Sequence, residues 1–243
     1  MKRPYEKEGT DRLNRKRFCV ILVNPENPEN IGQTARAMKN TGFEELRLVG
    51  LESIDPEATR TAIHCRSILD RARLYSTLAE ATEDRHLVLA STARFRKTFT
   101  LLPLAGAADA VLSYPRNARV GLVFGNERTG LSSRELGAAN FVFYIPQATT
   151  QPSYNLASAV LLTLFALFSR SAGEIVAREP MPIPRKEQED CLRLILRKLE
   201  RKDFIHATNR THVTEMVQDL FGRMALTERD RRFLLALLDR AAD

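Results

Sequence analysis

What this sequence lacks narrows its identity first. Its three cysteines, Cys19, Cys65 and Cys191, are odd in number and far apart, so they match neither a disulfide framework nor a zinc site. A reducing cytoplasm is the simplest setting. The most apolar run, "AVLLTLFALF" from Ala159 to Phe168, is about half of the roughly 20 residues that span a bilayer, and it reads as a buried helix. The opening "MKRPYEKEGTDRLNRKR" has no apolar centre and is not a secretion signal. The dinucleotide fingerprint and the Walker phosphate loop are both missing, which argues against a nicotinamide enzyme or an ATPase. There is no internal repeat.

What is present is ordinary for a water-soluble domain with a smaller appendage: 243 residues, 44% hydrophobic and 28% charged. The charge is uneven. Of the formal +7, residues 1–17 hold seven Lys or Arg against three acids, an excess of +4 in a short arm. Such an arm attracts polyanions, nucleic acid first among them, although it could also simply aid solubility.

From Phe18 the chain alternates between two periodicities. "FCVILVN", "ELRLVG", "RLYS", "HLVLAST", "RVGLVFGN" and "FVFYIP" read as strands. Between them "IGQTARAMKNTG", "ATRTAIHCRSILDRA", "LAEATED", "PLAGAADAVLSY" and "SSRELGAA" read as helices, and "YNLASAVLLTLFALFSRS" closes the series as a long one. Gly42 is a natural stop for the first helix. This alternation predicts a parallel sheet with helices on both faces. After Gly173 the texture changes. Three prolines from Pro180 to Pro184 predict an extended linker, and three helical patterns with no strand follow it, the last capped by Thr227 with Asp230. The expected division is an arm over 1–17, an α/β domain over 18–172, a linker over 173–184 and a small all-α extension over 185–243.

Ligands of open parallel sheets bind at the strands' carboxyl ends. Four loops qualify: "NPENPENIG", "STARFRK", "GNERTG" and "PQATTQPSYN". In "GNERTG" the glycines permit close backbone approach while Glu127 accepts hydrogen bonds, and a turn capped by Gly130 is the plainer reading. Ser153 and Asn155 open the long helix, where Ser153 could be its N-cap or a contact to a polar ligand. Asn30 with Gly32 shapes the first turn. Six residues on, almost two turns, Arg36 is placed on roughly the face that starts the helix, where a guanidinium could grip phosphate or carboxylate. The surrounding Gly32, Ala35 and Ala37 suit a close-packed helix.

In order, "NPENIGQTARAMKNTGF", "LVFGNERTGL" and "IP…SYNLASAV" resemble the three motifs of the SpoU branch of the SPOUT methyltransferases. Within that branch the chain is most similar to the TrmJ-like tRNA ribose 2′-O-methyltransferases. The similarity runs from Phe18 to the C-terminus, since "LERKDFI" and "DLFGRMALTERDRRFLLALL" resemble that subfamily's extension. The resemblance implies a C-terminal deep trefoil knot over about Val120 to Leu162, and S-adenosylmethionine as methyl donor. It also implies no metal, a homodimer with its active site between the copies, and an RNA partner, the first nucleotide of the tRNA anticodon loop. It assigns Arg36 and Ser153 as the two principal catalytic residues and places Asn30, Glu127 and Asn155 with them in the catalytic set. Donor contacts are implied for Ser91, Thr92, Ala93, Gly125, Ile145, Pro152, Ser153 and Tyr154. One position departs: the third motif usually reads Ser-Leu-Asn, and here Tyr154 stands for the leucine. Three rival readings remain: the same chemistry on ribosomal RNA, a non-catalytic RNA-binding protein on a knotted scaffold, and a flavodoxin-like or Rossmann nucleotide enzyme.

Overall fold

The computed structural model describes residues 13–95, 99–148, 153–170 and 179–240. Its first strand is β1 (Phe18–Val23), in which every residue is buried. A strand with no polar face has to lie inside a sheet covered on both sides. It does so here, in a seven-stranded sheet ordered β3-β2-β1-β6-β4-β7-β5. The other strands are β2 (Glu45–Val49), β3 (Arg73–Tyr75), β4 (Leu87–Ser91), β5 (Leu101–Pro103), β6 (Val120–Phe124) and β7 (Phe141–Tyr144). Every pairing between them is parallel.

Successive strand residues point to opposite faces, and β1 divides accordingly. Phe18, Val20 and Leu22 join a core with α1 (Pro28–Thr41), α2 (Pro56–Thr61), α3 (Arg66–Asp70), α5 (Leu104–Leu112) and α7 (Leu156–Arg170). Cys19, Ile21 and Val23 face α4 (Leu78–Thr82) and α6 (Ser133–Gly137). The helices-on-both-faces expectation holds. All three cysteines are free and buried.

Two local readings change. The segment "ATRTAIHCRSILDRA" is two helices, because His64 takes φ 61° and turns the chain between buried Ala62 and Cys65. β5 was not anticipated: three residues on a sheet edge leave no periodicity to read. Gly42 ends α1 with φ 80°, its N–H reaching back to Lys39 and Met38 carbonyls. Gly32 does not shape the turn but lies within α1, where an added Cβ would stand 2.0 Å from Thr61 Oγ1 and 2.2 Å from the Ala58 carbonyl. It is the price of bringing α1 and α2 together.

Of the basic arm, residues 1–12 lie outside the described residues. Of residues 13–17, Leu13 and Arg17 are buried, the Arg17 guanidinium donating to the carbonyls of Val111 (3.0 Å) and Pro115 (2.6 Å) at the end of α5, while Lys16 is exposed.

The C-terminal helices α8 (Arg185–Arg201), α9 (Arg210–Arg223) and α10 (Glu228–Arg240) share a small core of Ile183, Cys191, Ile195, Phe221 and Leu226. Thr227 and Asp230 cap α10 reciprocally, Thr227 N donating to the Asp230 carboxylate (2.9 Å) and Asp230 N to Thr227 Oγ1 (3.3 Å). The described end of the proline-rich segment is tied in, Ile183 N donating to the Leu226 carbonyl at 2.7 Å. The unit docks on the sheet domain through buried Arg185, whose guanidinium donates to Ala138 O (2.7 Å) and Gly222 O (3.4 Å). At Gly222 a Cβ would meet the Gly137 carbonyl at 1.8 Å, so α9 rests directly on α6.

Candidate active site

Parallel strands deliver their loops to one edge, and here four of those loops line a single cleft of about 520 Å³. Ser91, Thr92 and Ala93 come from the end of β4, Gly125 and Glu127 from the loop after β6, and Ile145 from the end of β7. Asn30 enters from α1, and Ser153, Tyr154 and Asn155 from the approach to α7. Ten of the residues singled out in the sequence therefore meet in space. Pro152 lies outside the described residues, as do Arg96 and Lys97 of the "STARFRK" loop.

The loop after β6 folds back on itself. A Cβ on Gly125 would come within 2.4 Å of Gly130 C and Leu131 N, and Gly130 takes φ 67°. The glycines thus serve the loop's own return as well as any ligand. Asn126, between Gly125 and Glu127, organises that return. Its Oδ1 accepts from Arg128 N (2.9 Å) and Thr129 N (3.0 Å), while its Nδ2 donates to the Asn24 carbonyl at 2.7 Å. Its neighbours in "GNERTG" were the only sequence signal for this role.

Glu127 is the hub. Its carboxylate accepts from Glu26 N (2.8 Å), Asn27 N (3.2 Å) and Asn30 Nδ2 (2.7 Å). Burial alone would raise its pKa, but these donors outweigh it and hold the carboxyl below its usual range. An ionised carboxylate only accepts, so it fixes which end of the Asn30 amide faces it. Asn30 Oδ1 is thereby turned to accept from Asn155 Nδ2 at 2.8 Å. Asn155 Oδ1 in turn accepts from Ala157 N (3.0 Å) and Ser158 N (3.3 Å), the first turn of α7. One directed chain of hydrogen bonds therefore joins the loops after β1 and β6 to the start of α7.

This corrects the reading of Ser153 as the helix cap. Asn155 caps α7, and Ser153 is left exposed on the cleft wall with no hydrogen bond among the described residues. Arg36 is also placed differently from the expectation. Six residues of α-helix turn through about 600°, roughly 120° short of two full turns. Arg36 consequently shares the solvent face with Gln33, Lys39 and Asn40, while Asn30, Thr34 and Ala37 face inward. It does not line the cleft of its own chain and has no hydrogen bond or ion pair among the described residues. Two other cations do line the cleft. Arg94 Nη2 donates to the Arg128 carbonyl (3.3 Å), and Arg128 pairs with Glu26 at 3.2 Å.

No cluster of three or more His, Cys, Asp or Glu side chains suited to a metal occurs among the described residues. The site's means are hydroxyls, amides, backbone groups and guanidinium charge. They suit binding, alignment and charge stabilisation.

Residues 17–165 match the SpoU rRNA Methylase family. The tRNA (cytidine-2'-O-)-methyltransferase TrmJ of Methanocaldococcus jannaschii is 34% identical over 215 residues, covering 85% of this chain and 90% of the relative. The tRNA (cytidine/uridine/adenosine-2'-O-)-methyltransferase TrmJ of Pseudomonas aeruginosa is 33% identical over 239 residues, covering 91% and 92%. The crystal structure of TrmJ from Z. mobilis ZM4 superposes with a TM-score of 0.78 at 28% identity, covering 93% of this chain and 99% of that one.

Proposed function

The chain belongs to the SpoU rRNA Methylase family, and from that premise we propose that it methylates a ribose 2′-hydroxyl of tRNA, at the first nucleotide of the anticodon loop. The observation that carries the choice of tRNA is coverage. Relatives named as tRNA 2′-O-methyltransferases align with up to 91% of the chain, helical extension included. The proposed division keeps methyl transfer in residues 18–172, on which Leu13 and Arg17 are packed, and gives the basic arm ahead of Leu13 and the extension (185–243), joined by the linker 173–184, to the RNA.

The cleft suits S-adenosylmethionine. Its volume of about 520 Å³ lies in the range of small-ligand pockets. Its walls combine apolar Phe124, Ile145 and Leu156 with the hydroxyls of Ser91, Thr92 and Ser153. Ser91, Thr92, Ala93, Gly125, Ile145, Ser153 and Tyr154 would hold the donor. When bound, S-adenosylmethionine supplies an electrophilic methyl group on a sulfonium centre. With reactivity built into the donor, the protein has chiefly to align the reactants, and alignment supplies at most about 7–11 kcal/mol of barrier lowering.

The hub at Glu127 serves that alignment, holding the loops that form the cleft in one register through Asn30 and Asn155. Ser153, unspent on capping, offers its hydroxyl to the substrate. Arg36 is a poor base, since a guanidinium donates hydrogen bonds and has no acceptor to take a proton. In this reading it clamps the phosphate beside the target ribose and stabilises the developing alkoxide.

Arg36 points away from its own cleft, so the reading pairs it with the cleft of a second copy in a homodimer. The outer face of α7 supports that assembly: Leu161, Leu162, Phe165 and Phe168 are exposed at 36–56%. A trefoil knot over about Val120 to Leu162 completes the architecture. It is supported by the path of the chain, which passes from β6 at the sheet's centre to β7, then back along α7 onto α1. The substrate sets the work in the cytoplasm, and no helix among the described residues is long and apolar enough to cross a membrane.

The experiment is methylation in vitro with labelled donor, offering total tRNA and ribosomal RNA in parallel. Label confined to tRNA is expected. Label in ribosomal RNA would move the substrate. Absence of both label and calorimetric donor binding would reduce the protein to an RNA-binding scaffold.

A further inference from the structure

The third motif's departure at Tyr154 has a structural consequence that the motif residues do not share. The ring lines the cleft and is 40% exposed, while its phenol Oη donates to the Pro146 carbonyl at 3.1 Å. Pro146 follows Ile145, the residue that carries the chain out of β7 along the cleft wall. On its other side Tyr154 adjoins Asn155, which is anchored to Asn30 and to the first turn of α7. One side chain thus ties the exit of β7 to the entry of α7. A leucine at this position has no donor and could not make that tie.

We propose that Tyr154 is a positioning residue: its phenol clasps the Ile145–Gln147 wall to the Asn30–Glu127 hub and so pre-shapes the cleft for the methyl donor. The inference rests on the reading of this cleft as the donor site. Pre-organisation of this kind acts on affinity by removing the cost of ordering the wall on binding. A neutral hydrogen bond has a modest net worth, so its loss changes binding by about three- to tenfold.

The test is Tyr154→Phe, which keeps the ring and removes the tie, beside Tyr154→Leu, which removes both. Two quantities are measured on the full chain: S-adenosylmethionine affinity by calorimetry, and the backbone order parameters of Gln147 and Ala148 by nuclear magnetic relaxation without ligand. The clasp predicts lowered order parameters at both residues in both variants. It also predicts donor Kd raised about three- to tenfold by Tyr154→Phe. Order parameters and Kd equal to wild type in Tyr154→Phe would overturn it. So would lowered order parameters with unaltered Kd, since the wall would then be tied without consequence for the donor. If the wild-type chain bound no donor, the assignment of the cleft would fall, whereas the order-parameter comparison would still decide whether the clasp exists.

Discussion

Asn155 Nδ2 lies 2.8 Å from Asn30 Oδ1, joining the helix that opens the chain's first motif to the one that follows its last, 125 residues away. The direction of this bond is set from outside. Ionised Glu127 requires the donor end of Asn30, so Asn30 must present its acceptor end to Asn155. Reversing any one amide would set donor against donor.

The relationship separates two jobs of Asn155. In Asn155→Asp a carboxylate can still cap α7, but it cannot donate to Asn30 Oδ1. The thermal midpoint should correspond to a loss of less than about 1 kcal/mol, while turnover falls at least about tenfold as the site loops lose register. Stability and activity falling together, or neither falling, would deny the division.

Arg36→Lys retains the charge without the planar fork. RNA affinity, measured by filter binding at fixed salt, should stay within about threefold, because one phosphate contact keeps its cation. Turnover should drop about 10²-fold, as expected for loss of a donor aimed at developing charge. Near-wild-type turnover would remove Arg36 from the chemistry.

Gly32→Ala drives a Cβ to 2.2 Å from a helix carbonyl, an atom unable to swing aside as a side chain could. Despite alanine's better helix propensity, denaturant unfolding should show a loss of about 3 kcal/mol, typical of forced overpacking. An unchanged midpoint would show that α1 and α2 can part freely.

His86 gives a pH signature. Burial, then the charges of Arg119 and Arg85, push its pKa from 6.5 down to about 4, and its Nδ1 accepts from Arg119 N at 3.0 Å. Between those values the unfolded chain binds a proton that the folded chain refuses. The stability contribution is therefore complete above pH 6.5 and lost as pH falls toward 4. The loss amounts to about 3 kcal/mol. His86→Asn keeps an acceptor for Arg119 N and removes the titration, so its stability between pH 7 and 4 should fall by that much less than wild type. Parallel curves for the two proteins would refute this assignment.

The alternation of strand and helix was legible because buried parallel strands leave continuous β-branched runs, as "FCVILV" does. The cleft was legible for the same reason: once the strands are known, their carboxyl-end loops must converge. Three things were not. Asn155 and Ser153 are both good caps, and only the position of Asn30 decides between them. Arg36 looked aligned with Asn30 because six residues pass for two turns, although the remaining third of a turn sends it to solvent. The docking of the helical extension depends on Arg185, a buried arginine indistinguishable in sequence from the surface arginines of α8.

The most direct test is to map the methyl group itself. Total tRNA is treated with the protein and S-adenosylmethionine, digested, and read by mass spectrometry at nucleotide resolution. A 14-dalton gain (one CH2) on a ribose at the first anticodon-loop nucleotide, gone in Arg36→Lys, is predicted. A methyl group on a base, or on tRNA at a site indifferent to Arg36, would contradict the account.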